Sequence, residues 1–328
     1  MTREEAMKSL AVLAISIAAM AVSGAARAES DYPNRPIKMI LPSAPGGGGD
    51  LFGRVVAENM RKILGQPIVV ENNAGASGTI AINQISKSKP DGYTFGLGTM
   101  TTTTLAPAVF EKLPYDPIKD LTTIARVGTS PIILVATSDF PANTLKEFVA
   151  AAKASKEPLM YGTWGIGSTG NFCAEILAQK AGVKLTHVPY KGTAPVVAAM
   201  LGGDIKVAWL DMATGTTAVG TGKIKPIGMC TRRTSNFPDV ATYKEQGIDF
   251  DQWTGWAVFG PPGMPKEIVE KLGAALRQTV EDPVVSAKMI GWGITPDYVS
   301  GPQQAEINAR EIEVWKKIAK DASIKSDQ

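Results

Sequence analysis

Short apolar runs and helical patterns take turns along this chain. Residues 37–41 are nearly all aliphatic and end at Pro42 and a glycine cluster, as a buried strand does. A helical pattern follows from Asp50, with Leu51, Val55, Ala57, Met60 and Leu64 three to four residues apart and Gly65 as its stop. The same reading predicts strands at 67–70, 93–97, 132–136, 159–162, 185–188, 207–210, 224–229 and 253–259. It predicts helices at 74–87, 145–154, 171–181, 195–201, 265–280 and 302–322. Such alternation argues for α/β domains with largely parallel sheets. Ligands of such sheets sit beyond the carboxyl ends of strands, which directs attention to loops 42–50, 98–104 and 162–171.

Composition removes several classes of function. The chain has 328 residues, with 34 Lys and Arg against 31 Asp and Glu, a balance that does not suit a nucleic-acid binder relying on bulk basicity. One histidine, His187, leaves out histidine-rich metal sites and most catalytic triads. Two cysteines cannot build a disulfide scaffold. Cys173 and Cys230 either pair in an oxidising compartment or stay as buried thiols, and the sequence leaves both open. Residues 10–22 are apolar but too short for the ~20 residues of a membrane span. With Ala26 and Ala28 after them, they read as a secretory signal cut after Ala28, although Glu4 and Glu5 offset Arg3 and Lys8. The expected product is a soluble exported protein starting at Glu29.

Two glycine-rich loops offer anion sites. In the first, Ser43, Ala44, Gly47 and Gly49 precede or open a helix whose free N–H groups and dipole favour negative charge. Asp50 is expected as its N-cap. The loop lacks the Gly-Lys-Ser/Thr ending of a P-loop and the glycine spacing of a dinucleotide fingerprint. In the second, Gly165, Gly167 and Gly170 do spell G-x-G-x-x-G, but residues 185–188 carry no ribose-binding acid. The loop reads instead as a second anion-binding helix start, with Gly167, Ser168, Thr169 and Asn171 as its members. A triad of Ser168, His187 and Asp211 lacks a nucleophile elbow, because Ile166 stands where glycine is required. Thr99 and Thr101, in a threonine run, are candidates for a polar ligand, with an exposed turn as the alternative. Trp164, Phe52 and Tyr190 are candidates to stack on a flat ligand, with core packing as the alternative. Neither calcium-loop nor zinc spacing is found, so no metal and no cofactor is expected.

Taken in order, these segments resemble the Bug family, the extracytoplasmic solute receptors of tripartite tricarboxylate transporters. The pieces include residues 32–37, the 45–50 turn with Arg54, Glu71 and Asn72 with Gly75 and Gly78, residues 90–94, 113–117 and the 165–168 loop. Residues 188–192, 202–204 and 238–240, then Trp253, Gly255 and Trp256 with 261–265, complete the series. The resemblance implies a two-lobed periplasmic-binding-protein fold, two α/β domains with mixed sheets around a ligand cleft. Its domains would be 29–127 with 253–328, and 128–252. It implies a monomer that captures a small organic carboxylate, aromatic or dicarboxylic among the options, and delivers it to membrane permease subunits, with no chemistry and no nucleic acid. The carboxylate would be gripped between loops 43–50 and 165–171, with Thr99, Thr101, Tyr190 and Asp211 toward the distal end. A secreted hydrolase and a carboxylate sensor are the rival functions. Two departures stand out: Asn171, Phe172 and Cys173 lie where many members place a histidine, and Ala241 replaces a proline.

Overall fold

The computed structural model describes residues 32–250, 254–321 and 324; the expected signal segment lies outside them. The first sheet has six strands. β1 (Ile37–Leu41) pairs in parallel with β2 (Ile68–Asn72) and β3 (Thr94–Thr99). β10 (Thr254–Gly260) comes back from the far end of the chain and lies antiparallel between β3 and β4 (Thr122–Ser130). β11 (Thr295–Ser300) closes the edge against β4. The second sheet has five strands in the order β7-β6-β8-β5-β9. These are β5 (Ile132–Thr137), β6 (Leu159–Thr163), β7 (Leu185–Pro189), β8 (Val207–Asp211) and β9 (Ile224–Met229). β5 is antiparallel to both of its neighbours, β8 and β9. Both sheets are therefore mixed, as the family resemblance implies, whereas alternation alone argues for largely parallel ones.

Helices fill the crossovers. α1 (Gly48–Leu64) lays Phe52, Val56, Ala57 and Met60 on the first sheet and ends at Gly65, whose left-handed φ of 69° lets its N–H reach Arg61 O. α2 (Thr79–Ser86) starts five residues later than expected. Before it, residues 76–78 form a tight turn with Ala76 and Ser77 at positive φ, a conformation that side chains seldom hold without support. The threonine run is not an exposed turn but a buried π-helical turn (Thr101–Leu105) continuing into α3 (Ala106–Val109). α4 (Leu145–Ala154), α5 (Thr169–Ala181), α6 (Thr193–Gly202) and α7 (Met212–Val219) serve the second sheet. α8 (Lys266–Glu281), α9 (Pro283–Gly291) and α10 (Gly301–Asp321) complete the chain.

The chain passes from one sheet to the other at Pro131, directly between β4 and β5, and returns after β9. The cores are not sealed from each other. Met100, Leu105 and Val109, with Trp315 and Ala319 of α10, share one apolar cluster with Leu134, Phe172 and Trp209 of the second sheet's side. Trp315 meets Phe172 edge-on at 5.1 Å. Cys173 and Cys230 are joined as a disulfide, which ties α5 to the residue after β9.

Candidate functional site

A cleft opens between the carboxyl ends of the two sets of strands. Ser43 and Gly49 reach it from the β1–α1 loop, Thr99 and Thr101 from the end of β3, Trp164 and Thr169 from the β6–α5 loop, and Asp211 from the end of β8. These expected residues are brought together. Ala44, Gly47, Asp50, Gly167, Ser168 and Asn171 stand behind the lining, in the same two loops. Tyr190 lies elsewhere: it is packed with the cluster of Val196 and Ile205, and its ring edge comes within 3.3 Å of where a Cβ on Gly162 would be. Phe52 is fully buried and meets Trp256 edge-on at 5.6 Å, so it backs the wall rather than facing a ligand.

Asp50 is not the N-cap. The helix starts at Gly48 on a Gly47 cap, and Asp50 is its third residue. Its carboxylate reaches back to the N–H of Gly46 at 2.9 Å and takes further bonds from Arg54 and Asn72, while Asn72 also donates to Ser43 O. The Gly46 bond is akin to the reciprocal half of a capping box, but reaches the N–H one residue before the Gly47 cap. Burial pushes the carboxyl up, but the bonds from Arg54, Gly46 and Asn72 outweigh it and hold it below the usual carboxylate value. Asp50 therefore fixes the loop's shape from behind.

The second loop is closed by its own side chains. Ser168 caps α5 by accepting from Asn171 N–H. Asn171 accepts from Gly167 N–H at 3.0 Å and donates to the Tyr161 hydroxyl at 2.8 Å. Ser168 is linked to His187 only through Thr163, whose hydroxyl is 2.7 Å from His187 Nε2. The imidazole stacks on Tyr161, and burial pulls its pKa down to about 4. Asp211 is engaged elsewhere, accepting from the backbone N–H and hydroxyl of Thr214. No triad of Ser168, His187 and Asp211 forms.

Among the described residues, hydrogen bonds cross the cleft, including one between the hydroxyls of Thr101 and Thr169 at 3.5 Å. Gly48 N–H donates to Thr214 Oγ1 at 2.8 Å, Ser77 Oγ to Ile166 O at 2.6 Å, and Thr169 N–H to Thr101 Oγ1 at 3.2 Å. The two glycine loops do not oppose each other directly. The first meets Gly192, Thr193 and Asp211; a Cβ on Gly48 would fall 1.8 Å from Asp211 Oδ1. The second meets Ser77 and Val109. Glycine at 48 and 165 is required by these approaches. The cavity that remains is about 50 Å³. One water needs ~10–15 Å³, so the space suits a small molecule.

Several lining residues fall outside the ligand-binding set expected from the loops after strands. Trp256 and Thr254 lie within β10, which arrives from the far end of the chain, and only their pairing with β3 and β4 brings them to the cleft. Thr193 and Ser77 begin or precede helices whose starts looked unremarkable.

Residues 52–324 match the family model described as the tripartite tricarboxylate transporter family receptor. The chain belongs to this family. A UPF0065 protein of Bordetella pertussis is 34% identical over 86% of this receptor and 87% of its own length. The structure of the periplasmic binding protein BugD superposes with a TM-score of 0.86 at 30% identity, covering 90% of this receptor and all (100%) of that chain. An R. palustris protein solved with adipate superposes equally well, with a TM-score of 0.86, 28% identity and coverage of 90% and 99%. The receptor is thus a two-lobed α/β binding protein of the Bug type. Asn171 is turned inward to Gly167 and Tyr161 instead of toward the cleft.

Proposed function

We propose that this receptor captures a small organic carboxylate in the periplasm and hands it to the permease of a tripartite transporter. The observation that carries the reading is the convergence of two glycine-containing helix starts on one cleft. Gly49 lies in the first turn of α1 and Thr169 opens α5, and both line the same small cavity. Helix starts attract negative charge without a cationic side chain. The adipate complex of the R. palustris relative fits that reading.

The ligand-contacting set is proposed as Ser43, Gly49, Thr99, Thr101, Thr169 and Asp211, joined by Trp164, Thr193 and Trp256. Ala44, Gly47, Asp50, Gly167, Ser168 and Asn171 would shape the loops behind them. The closing lobes are proposed as 29–127 with 253–328, and 128–252. Sheet membership supports the division, with β4 leading into the crossing at Pro131. Export through a signal cut after Ala28, action as a monomer and the absence of catalysis belong to the same proposal.

A thermal-shift panel of acetate, malate, adipate, citrate and benzoate on residues 29–328 tests it. A carboxylate at 100-fold its dissociation constant adds about 2.7 kcal/mol. In a chain of this size that is a rise of several degrees. No rise with any carboxylate, after refolding to strip co-purified ligand, overturns the reading.

A further inference from the structure

We infer that the indole N–H of Trp256, on β10 and outside both glycine loops, is a direct ligand donor that acts with the hydroxyl of Ser43 to fix the ligand's acceptor end on the first lobe. The inference rests on the receptor reading above and goes beyond it by naming which wall reads the carboxylate.

Trp256 is only 6% exposed, yet its Nε1 has no hydrogen-bond partner among the described residues. An indole N–H can only donate. A buried donor without an acceptor is costly and calls for an explanation. The other two buried tryptophans show the usual solution. Trp209 Nε1 donates to the Tyr243 hydroxyl at 2.7 Å, and Trp315 Nε1 donates to Glu311 at 3.3 Å. Of the three, Trp256 alone lines the cleft. Its ring cannot easily swing to another partner, because Phe52 packs against it and Gly49 lies under its benzo edge.

Ser43 repeats the pattern. Its Oγ is buried, unpartnered and on the same cleft. A Cβ built on Gly49 would lie 3.0 Å from Ser43 Oγ and 3.2 Å from the Trp256 ring, so the two side chains flank one glycine at the start of α1. Across the cleft, the Thr193 hydroxyl is engaged with Thr214 and that of Thr214 with Asp211; on the near side, the Thr101 hydroxyl accepts from the N–H of Thr169. Asp211 presents a carboxylate beside Gly48, so a second carboxylate on that side would meet like charge. The buried unpartnered donors of the lining lie on one wall, and the Asp211 carboxylate lies on the other. An anionic ligand therefore orients its carboxylate toward Ser43 and Trp256 and presents donor or apolar atoms toward Asp211 and Trp164.

The test uses the panel member with the largest thermal shift as probe. In wild-type protein labelled with ¹⁵N at the indoles, the Trp256 Nε1–H signal, assigned by its loss in Trp256→Phe, is followed during titration with that carboxylate and with its neutral amide. The carboxylate is expected to move this signal and the amide to leave it near its starting position. By calorimetry, Trp256→Phe and Ser43→Ala should each bind the probe about 10- to 100-fold more weakly, the range for a hydrogen bond to a charged group. An unmoved Trp256 signal at saturation overturns the inference even if Trp256→Phe misfolds. So does unchanged affinity in a folded Trp256→Phe. Either result leaves the receptor reading standing, since the wild type would still bind. Failure of every carboxylate to bind the wild type overturns both.

Discussion

Helix α1 begins on Gly47, which offers no side-chain bond, while α5 begins on Ser168, whose oxygen accepts from Asn171 N–H. Both starts border the same cleft, and both are loops of glycine between a strand and a helix. In the second, Ser168, Asn171, Tyr161 and Thr163 take up the polar groups among themselves. In the first, Asp50 holds the turn from behind, and Ser43 and Trp256 face the cleft with donors unpaired. One motif can thus be finished by side chains into a rigid wall, or left for a ligand to finish. The comparison makes a sharp claim: damage to the second start should register as lost stability, and damage to the first as lost affinity.

The largest effect is expected where α5 is anchored. The Cys173–Cys230 bond spans 57 residues. Loop-closure entropy for that span gives about 4 kcal/mol. Cys173→Ala with Cys230→Ala should lower the urea unfolding free energy by about that amount. A loss below about 1 kcal/mol would mean that the second start does not depend on this anchor.

Next comes acid. His187 sits behind the second loop with its pKa drawn down to about 4 by burial, from an ordinary value of 6.5. Below pH 6.5 the unfolded chain takes up this proton and the folded chain does not, so stability falls as pH drops from about 6.5 to about 4 and levels off below. The difference corresponds to about 3 kcal/mol. His187→Phe should remove this part of the slope between those pH values. An unchanged slope in the variant would place the acid sensitivity elsewhere.

A paired substitution tests the comparison most directly. Asn171→Ala leaves Gly167 N–H and the Tyr161 hydroxyl short of a partner, and should cost about 2 kcal/mol of stability. Gly49→Ala adds a methyl tightly against Ser43 and Trp256. Its helical position favours alanine by nearly the cost of the crowding, so unfolding should barely change while carboxylate affinity falls about 10-fold. If Gly49→Ala lost stability and kept affinity, the two starts would not differ in kind.

What the sequence showed, and what it hid, follows the same physics. β1, α4 and β9 are legible residue for residue because their apolar runs are bounded by glycine, proline or a capping threonine. β4 and β11 were missed. β4 carries polar threonines and a buried Arg126, and it reads as a strand only once Asp297 of β11, at 2.8 Å, and Gln304 of α10 surround that arginine. A single sequence does not display a partner 171 residues away (297 − 126). Both glycine loops were legible, since strand, glycine and helix follow one another locally. Trp256 entered only through the family resemblance and not as a site residue, because a mid-strand tryptophan carries no local sign that its neighbours will be Ser43 and Gly49. Phe52, read as a stacking candidate with core packing as the alternative, proves to be packed support for Trp256.

The smallest effect concerns Asp50, the residue that holds the open start in shape. Its folded pKa is depressed, so its contribution is complete above the unfolded value near 4 and is lost as pH falls through the lower folded value. Asp50→Asn keeps a side-chain oxygen for Gly46 N–H and loses the charge that Arg54 and the helix start favour. Arg54 is half exposed, which keeps the ion-pair part small, so a loss of about 1 kcal/mol or less at pH 7 is expected. The informative measurement is the ratio of two losses. Because Asn72 and Asp50 together position Ser43, carboxylate affinity should fall more than unfolding free energy does. A variant that lost stability alone would show Asp50 to be an ordinary helix-start acid, with no part in setting the donor wall.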